Sequence, residues 1–108
     1  EIVRDQNGLA KSSRNKYLSK NSYKKAIKVP KALLTIKAQF QAGVCDITLI
    51  KNKVKKQLID DNIQLDYLEF LIPKKRELVN NVITEECFCC IAAVCDGVRL
   101  IDNCSMKK

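Results

Sequence analysis

The stretch Cys87-Phe88-Cys89-Cys90-Ile91-Ala92-Ala93-Val94-Cys95 is apolar at odd and even positions alike. A strand with one wet face alternates polar and apolar side chains. A run without alternation belongs where both faces are covered. It is far too short to cross a bilayer as a helix. Asp96-Gly97, a two-residue hairpin signal, follows directly, and Val98 to Asn103 reads as the returning strand. An antiparallel sheet with Cys87–Cys95 at its centre is the expectation.

Upstream the period changes. Leu65 to Ile72 alternates, with Asp66, Leu68, Phe70 and Ile72 on one face and Leu65, Tyr67, Glu69 and Leu71 on the other. Pro73 stops it. Before residue 61 the apolar spacing is helical. Ser19 suits the N-cap of a helix over about Lys20 to Ala42, with Tyr23, Ala26, Ile27, Leu33, Leu34 and Phe40 as its stripe. Pro30 predicts a kink or two shorter helices, and Gly43 ends the run. A second helix, Asp46 to Asp60, places Ile47, Ile50, Val54 and Leu58 on one face, and Asp60-Asp61-Asn62 closes it. Helices followed by antiparallel strands make an α+β domain: a small sheet of about three strands, covered on one face by a helical layer.

The chain has 108 residues, enough for one domain. It has no His, which excludes His-dependent triads, His general bases and His-containing metal sites. Four of the six Cys lie inside the apolar run, where a free thiol behaves as a small hydrophobe, and their spacing poorly supports zinc. Buried free thiols imply a reducing, cytoplasmic setting. Nothing at the start resembles a secretory signal, and Glu1-Ile2-Val3-Arg4 reads like the inside of a larger protein. No stretch reads as a membrane span. The net charge of +8 comes mostly from scattered Lys, with few aromatic residues between them. Nucleic-acid readers cluster Arg and stacking rings instead. A small basic domain that binds nucleic acid or a partner without catalysis is the rival reading to the one that follows.

The chemistry-bearing stretch opens with residues 2–10, whose Asn7-Gly8 turn suits a small hairpin or an extended arm. Lys11-Ser12-Ser13-Arg14-Asn15 comes next. It offers an ammonium, two hydroxyls, a guanidinium and an amide, the donors that phosphate oxygens need. It is not a P-loop, since the spaced glycines and the Gly-Lys-Ser/Thr ending are missing. Taken on these residues alone, a solvated polar loop fits better than a phosphate site.

Gly8-Leu9-Ala10-Lys11-Ser12-Ser13-Arg14-Asn15, with Tyr17-Leu18, resembles the start of the C-terminal domain of the pantoate–β-alanine ligase family. Leu65-Asp66-Tyr67-Leu68-Glu69 and Val98-Arg99-Leu100-Ile101-Asp102-Asn103 continue the likeness in the same order, whereas Lys20 to Gln64 matches only as a variable helical region. The resemblance implies an ATP-dependent ligase that joins pantoate to β-alanine through a pantoyl adenylate. It implies that residues 1–18 are an interdomain hinge and a KMSKS-like phosphate loop, and that residues 19–108 are the lid domain. Ser12, Ser13 and Arg14 would hold the ATP phosphates and stabilise the leaving pyrophosphate, and the Val3 backbone would meet the adenine end. Lys11 stands where the family usually has an apolar residue. It either joins the phosphate clamp or points to solvent while its backbone does the family's work.

Magnesium would arrive on ATP, with no metal site on this domain. Pantoate and β-alanine would bind mainly to an N-terminal Rossmann-like domain, absent here, which also carries the family's dimer contacts. The chain alone would be inactive. Asp66, Glu69 and Asp102 read as strand or surface residues, with Asp102-Asn103 capping nearby backbone.

Overall fold

Pro30 sets the helical layer. A proline ring collides with the carbonyl four residues back, here that of Ala26. The chain answers by breaking into α1 (Lys20–Ala26) and α2 (Lys28–Gln41), with Ile27 between them. Pro30 then lies in the first turn of α2, where its missing N–H leaves no partner unsatisfied. This is the two-helix alternative. Ser19 caps α1, its Oγ accepting the Ser22 N–H at 3.0 Å. At the other end Gly43 takes φ +99°. The Gly43 N–H reaches Phe40 O at 3.0 Å and the Val44 N–H reaches Gln39 O at 2.8 Å, the paired bonds of a Schellman ending. Within α2 the buried stripe is Val29, Pro30, Ala32, Leu33, Ile36 and Phe40, whereas Leu34, expected on it, is 67% exposed. The third helix, α3 (Ile47–Ile59), buries Ile47, Ile50, Val54 and Leu58 as the spacing requires, and Asp46 Oδ1 accepts the Leu49 N–H.

This computed structural model describes residues 2–59, 62–83 and 85–107. The Asp60-Asp61 part of the expected helix closure, and Glu1 of the expected hinge, lie outside them. Among the described residues no helix is long and apolar enough to cross a membrane.

The sheet has four antiparallel strands, one more than expected: β1 (Ile63–Ile72), β2 (Glu77–Val79), β3 (Cys87–Cys95) and β4 (Val98–Met106), in the order β2-β1-β3-β4. The strand that sequence reading missed, β2, is short and half-exposed. The turn into it carries Arg76 at φ +51°, without the Gly or Asn that usually marks such a turn. β3 is flanked on both sides, as its uniform apolarity requires. Its Ala92 points away from the helices yet is fully buried, between Tyr67 and Ile101 on the neighbouring strands. The Asp96-Gly97 turn has both residues at positive φ, the geometry a tight hairpin between twisted strands demands.

The expected faces of β1 need correcting. A bulge lies between Leu65 and Tyr67, so that Leu65 pairs with Ala93 and Tyr67 with Ala92. The extra residue is Asp66. It shifts the parity, and Leu65 joins Leu68 and Phe70 on the core side instead of opposing them. The helices cover that side: α2 over β4, α3 over β1 and α1 over β3.

Residues 3–11 form the small hairpin. Arg4 bridges Ala10, the Lys11 N–H donates to Val3 O at 2.8 Å, and Gly8 turns the chain at φ +88°. Asp5 organises the turn: its Oδ1 accepts the N–H groups of Asn7 and Leu9, and its Oδ2 accepts the Tyr23 hydroxyl. Leu9 is the hairpin's buried anchor. The second fastening is charged. Arg4 donates both Nη atoms to the two oxygens of Asp102 at 2.7 Å each, and Nη2 also reaches Asn103 O at 3.2 Å. Asp102 is 3% exposed, so it is a strand residue but not a surface one. Its Oδ1 does cap backbone, accepting the Asn103 N–H at 2.7 Å.

Two outcomes follow from this arrangement. Asp102→Ala removes a forked, charge-assisted pair and should cost about 1.5–3 kcal/mol in a urea melt. In hydrogen exchange, the Lys11 amide should lose protection ahead of the sheet amides; unchanged protection there would refute the fastening. The Tyr23 hydroxyl, the turn N–H groups and the Lys11 charge hold the Asp5 carboxyl below its ordinary range, against a smaller opposing effect of burial. A depressed carboxyl stabilises the fold above its unfolded pKa and loses that contribution as pH falls through its folded pKa. Tyr23→Phe should move the Asp5 titration upward in carboxyl-carbon NMR and shift acid unfolding to higher pH.

Candidate functional site

The hairpin delivers the chain into a 3-10 turn, Ser13–Tyr17. Ser12 is its N-cap, in extended backbone, with Oγ accepting the Arg14 N–H at 3.2 Å. A hydroxyl that accepts in this way still has its proton to donate. The Arg14 guanidinium forms no hydrogen bond or ion pair with any described residue, and its side chain stands in solvent. Asn15 ties the turn back to the arm, donating Nδ2 to Ala10 O at 3.0 Å.

Beside this turn lies an open cleft of about 250 Å³. Lys11, Ser12, Arg14 and Asn15 line one wall; Arg99 to Asp102 of β4 line the other; Leu9 and Val29 form the floor. Three of the residues singled out from sequence, Lys11, Ser12 and Arg14, thus share one cleft. Ser13 is exposed on the turn and is not among the lining residues. Val3 is outside the cleft too, 67% exposed, but its carbonyl binds the Lys11 N–H and places it across the hairpin from the loop. That bond commits the Lys11 N–H to the arm. The Lys11 side chain is exposed beside the cleft.

The opposite wall was not legible as a site, and its chemistry is backbone. β4 is an edge strand, and in an antiparallel edge every second residue turns both N–H and C=O away from the sheet. Asn103 does so: its N–H goes to Asp102 Oδ1 and its C=O to Arg4. Ile101 and Arg99 share that parity along an unbroken register with β3, so their N–H and C=O groups face the cleft side. The Arg99 side chain leaves on the outer face of the sheet, where Nε donates to Asp66 Oδ2 at 3.0 Å. Glu69 pairs with Lys51 at 3.6 Å. Among the described residues no group of three His, Cys, Asp or Glu side chains is placed to hold a metal ion.

Comparison with known proteins bears on the chain as a whole. The sequence profile described as pantoate-beta-alanine ligase matches residues 1–105. A pantothenate synthetase of Thermosipho africanus is 38% identical over 102 residues, covering 94% of this chain and 36% of that protein. A pantoate–beta-alanine ligase of Oryza sativa subsp. japonica is 36% identical over 103 residues, covering 95% of this chain and 33% of that protein. The crystal structure of pantothenate synthetase from Thermus thermophilus superimposes with a TM-score of 0.81 at 28% identity, over 99% of this chain and 38% of that one. The chain spans about a third of the length of the curated relatives it matches. With the match running through the arm, the loop and all four strands, the chain belongs to the pantoate–β-alanine ligase family.

Proposed function

We propose that this chain is the C-terminal lid of a ligase that condenses pantoate with β-alanine at the expense of ATP. The observation that carries the proposal is the Arg14 guanidinium, without a partner among the described residues, beside Ser12 on the rim of a cleft whose far wall presents edge-strand backbone. Donors without protein partners, set on a rigid turn, suit an anionic ligand that comes and goes.

In the reaction, a pantoate carboxylate oxygen bonds to the α-phosphorus of ATP and pyrophosphate leaves. The β-alanine amine then attacks the acyl carbon of the adenylate and AMP leaves, giving pantothenate. Arg14 pairs with the β- and γ-phosphates and stabilises the charge that grows on pyrophosphate. Ser12 donates its hydroxyl proton to a phosphate oxygen, with Ser13 beside it on the same turn. The Lys11 ammonium adds a second positive charge to the same rim, and the Val3 backbone lies toward the adenine. Mg²⁺ comes with the ATP phosphates. Pantoate and β-alanine are held by the N-terminal domain, through which the subunits also pair. Closure of the lid excludes water from the acyl adenylate, which would otherwise hydrolyse. Arg4 is fastened to β4, so Ile2 and Val3 are the described residues left for the hinge. Six free thiols suit a reducing, cytoplasmic setting.

In the complete enzyme, Arg14→Ala should slow adenylate formation about 10²–10³-fold, the scale for loss of one transition-state donor. Its melting temperature should stay within a degree or two of wild type (about 0.5 kcal/mol or less for an exposed side chain). Wild-type adenylation in that variant would overturn the role given to Arg14. The 108-residue chain alone should show no turnover, because the reacting carboxylate and amine have no seat on it. Pantothenate formation by the purified chain, followed by mass spectrometry, would contradict the lid reading.

A further inference from the structure

Cys89 and Cys104 stand directly opposite each other on β3 and β4. Both side chains point to the helix-covered face of the sheet, Cys89 fully buried and Cys104 partly exposed. Partners in an antiparallel ladder have Cα atoms about 4.5–5.5 Å apart. That lies inside the range of about 4.4–6.8 Å spanned by disulfides. The remaining cysteines are differently placed. Cys87 faces Met106, Cys90 faces Asn103 on the opposite side of the sheet, and Cys95 faces Val98 while its Sγ donates to Ser22 O. Cys45 lies in the loop before α3.

We propose that Cys89 and Cys104 form an oxidisable pair, in which Cys104 reacts first with a hydroperoxide and Cys89 resolves it to a disulfide. The Cys104 sulfur attacks one peroxide oxygen and the O–O bond breaks. The second oxygen leaves as an alcohol or water, taking up the thiol proton, and Cys104 becomes a sulfenic acid. The Cys89 sulfur then displaces the sulfenic hydroxyl. An S–S bond forms, and the hydroxyl leaves as water with the Cys89 proton. Two electrons pass from the sulfur pair to the peroxide.

The order follows from access and electrostatics. Cys104 is the partner that solvent reaches. The neighbouring Cys89 thiol and the charges of Lys37 and Arg4 draw its pKa below the ordinary thiol range, although burial and Asp102 oppose this. Cys89 is raised by its neighbour Cys104 and by burial, so it remains a thiol until its neighbour is oxidised. The bond would form two residues from Asp102, on the strand that holds the arm.

The test uses the protein purified reduced and treated anaerobically with one equivalent of hydrogen peroxide. Thiol titration should show two of the six thiols lost. Tryptic mapping should join the peptide of residues 77–99 to that of residues 100–107, with fragmentation placing the bridge at Cys89 and Cys104. Cys90→Ser should form the same bridge. Cys89→Ser should instead leave a sulfenic acid on Cys104 that dimedone captures; should that variant fail to fold, the wild-type map decides alone. A bridge through Cys87, Cys90 or Cys95, or sulfinic acid on Cys104 with Cys89 still free, would overturn the proposal. Dithiothreitol should restore the reduced map.

Discussion

A carboxylate on the inward side of a strand cannot stay charged without a partner, and Asp102 has one that comes from the far end of the chain. The Arg4 fork satisfies both of its oxygens and takes the Asn103 carbonyl as well. Leu9 and the Asp5 turn shape the arm, but Arg4 decides where it lies. The loop after the arm inherits that position, and the cleft exists because loop and edge strand are held a fixed distance apart. With the pair intact the donors of the loop are preorganised, so ordering them costs little when an anion arrives.

The same logic separates residues that hold from residues that are held ready. Asp5, Tyr23 and Arg4 have their side-chain polar groups engaged by the protein, and Asn15 spends its amide nitrogen on Ala10 while its Oδ1 is buried without a partner among the described residues. Arg14 and the hydroxyl proton of Ser12 have no such partner among the described residues. A loop built only for structure would consume its donors. This one commits its backbone to a cap and leaves the stronger donors outward.

Much of this was legible in the sequence because local chemistry and tertiary packing agree. Asn7-Gly8, Asp96-Gly97, Gly43 and Pro30 each demand a particular backbone, and each receives it. The loop could be located from its donors and from family resemblance. What stayed hidden depends on pairings between distant positions. The bulge at Asp66 is set by the ladder with β3, and period-two reading assigns Leu65 to the wrong face. β2 has three residues and follows a turn without a glycine. Asp102 carried a signal that went unused: it falls on the parity of Val98 and Leu100, both buried, which makes a charge there a request for a buried partner. The far wall of the cleft is peptide groups, which no side-chain motif encodes.

The position of the arm has a consequence for how the molecule behaves in a crowded solution. β4 is a nine-residue edge, and an open edge of that length is a template on which another chain can add a strand. The opposite edge, β2, is short and lies beside a lysine-rich turn, which discourages such growth. On β4 the deterrent is the arm itself, which takes up the Asn103 carbonyl and lays a turn against the neighbouring positions. The segment that presents Arg14 thereby also occupies one end of an edge on which a second strand could otherwise add.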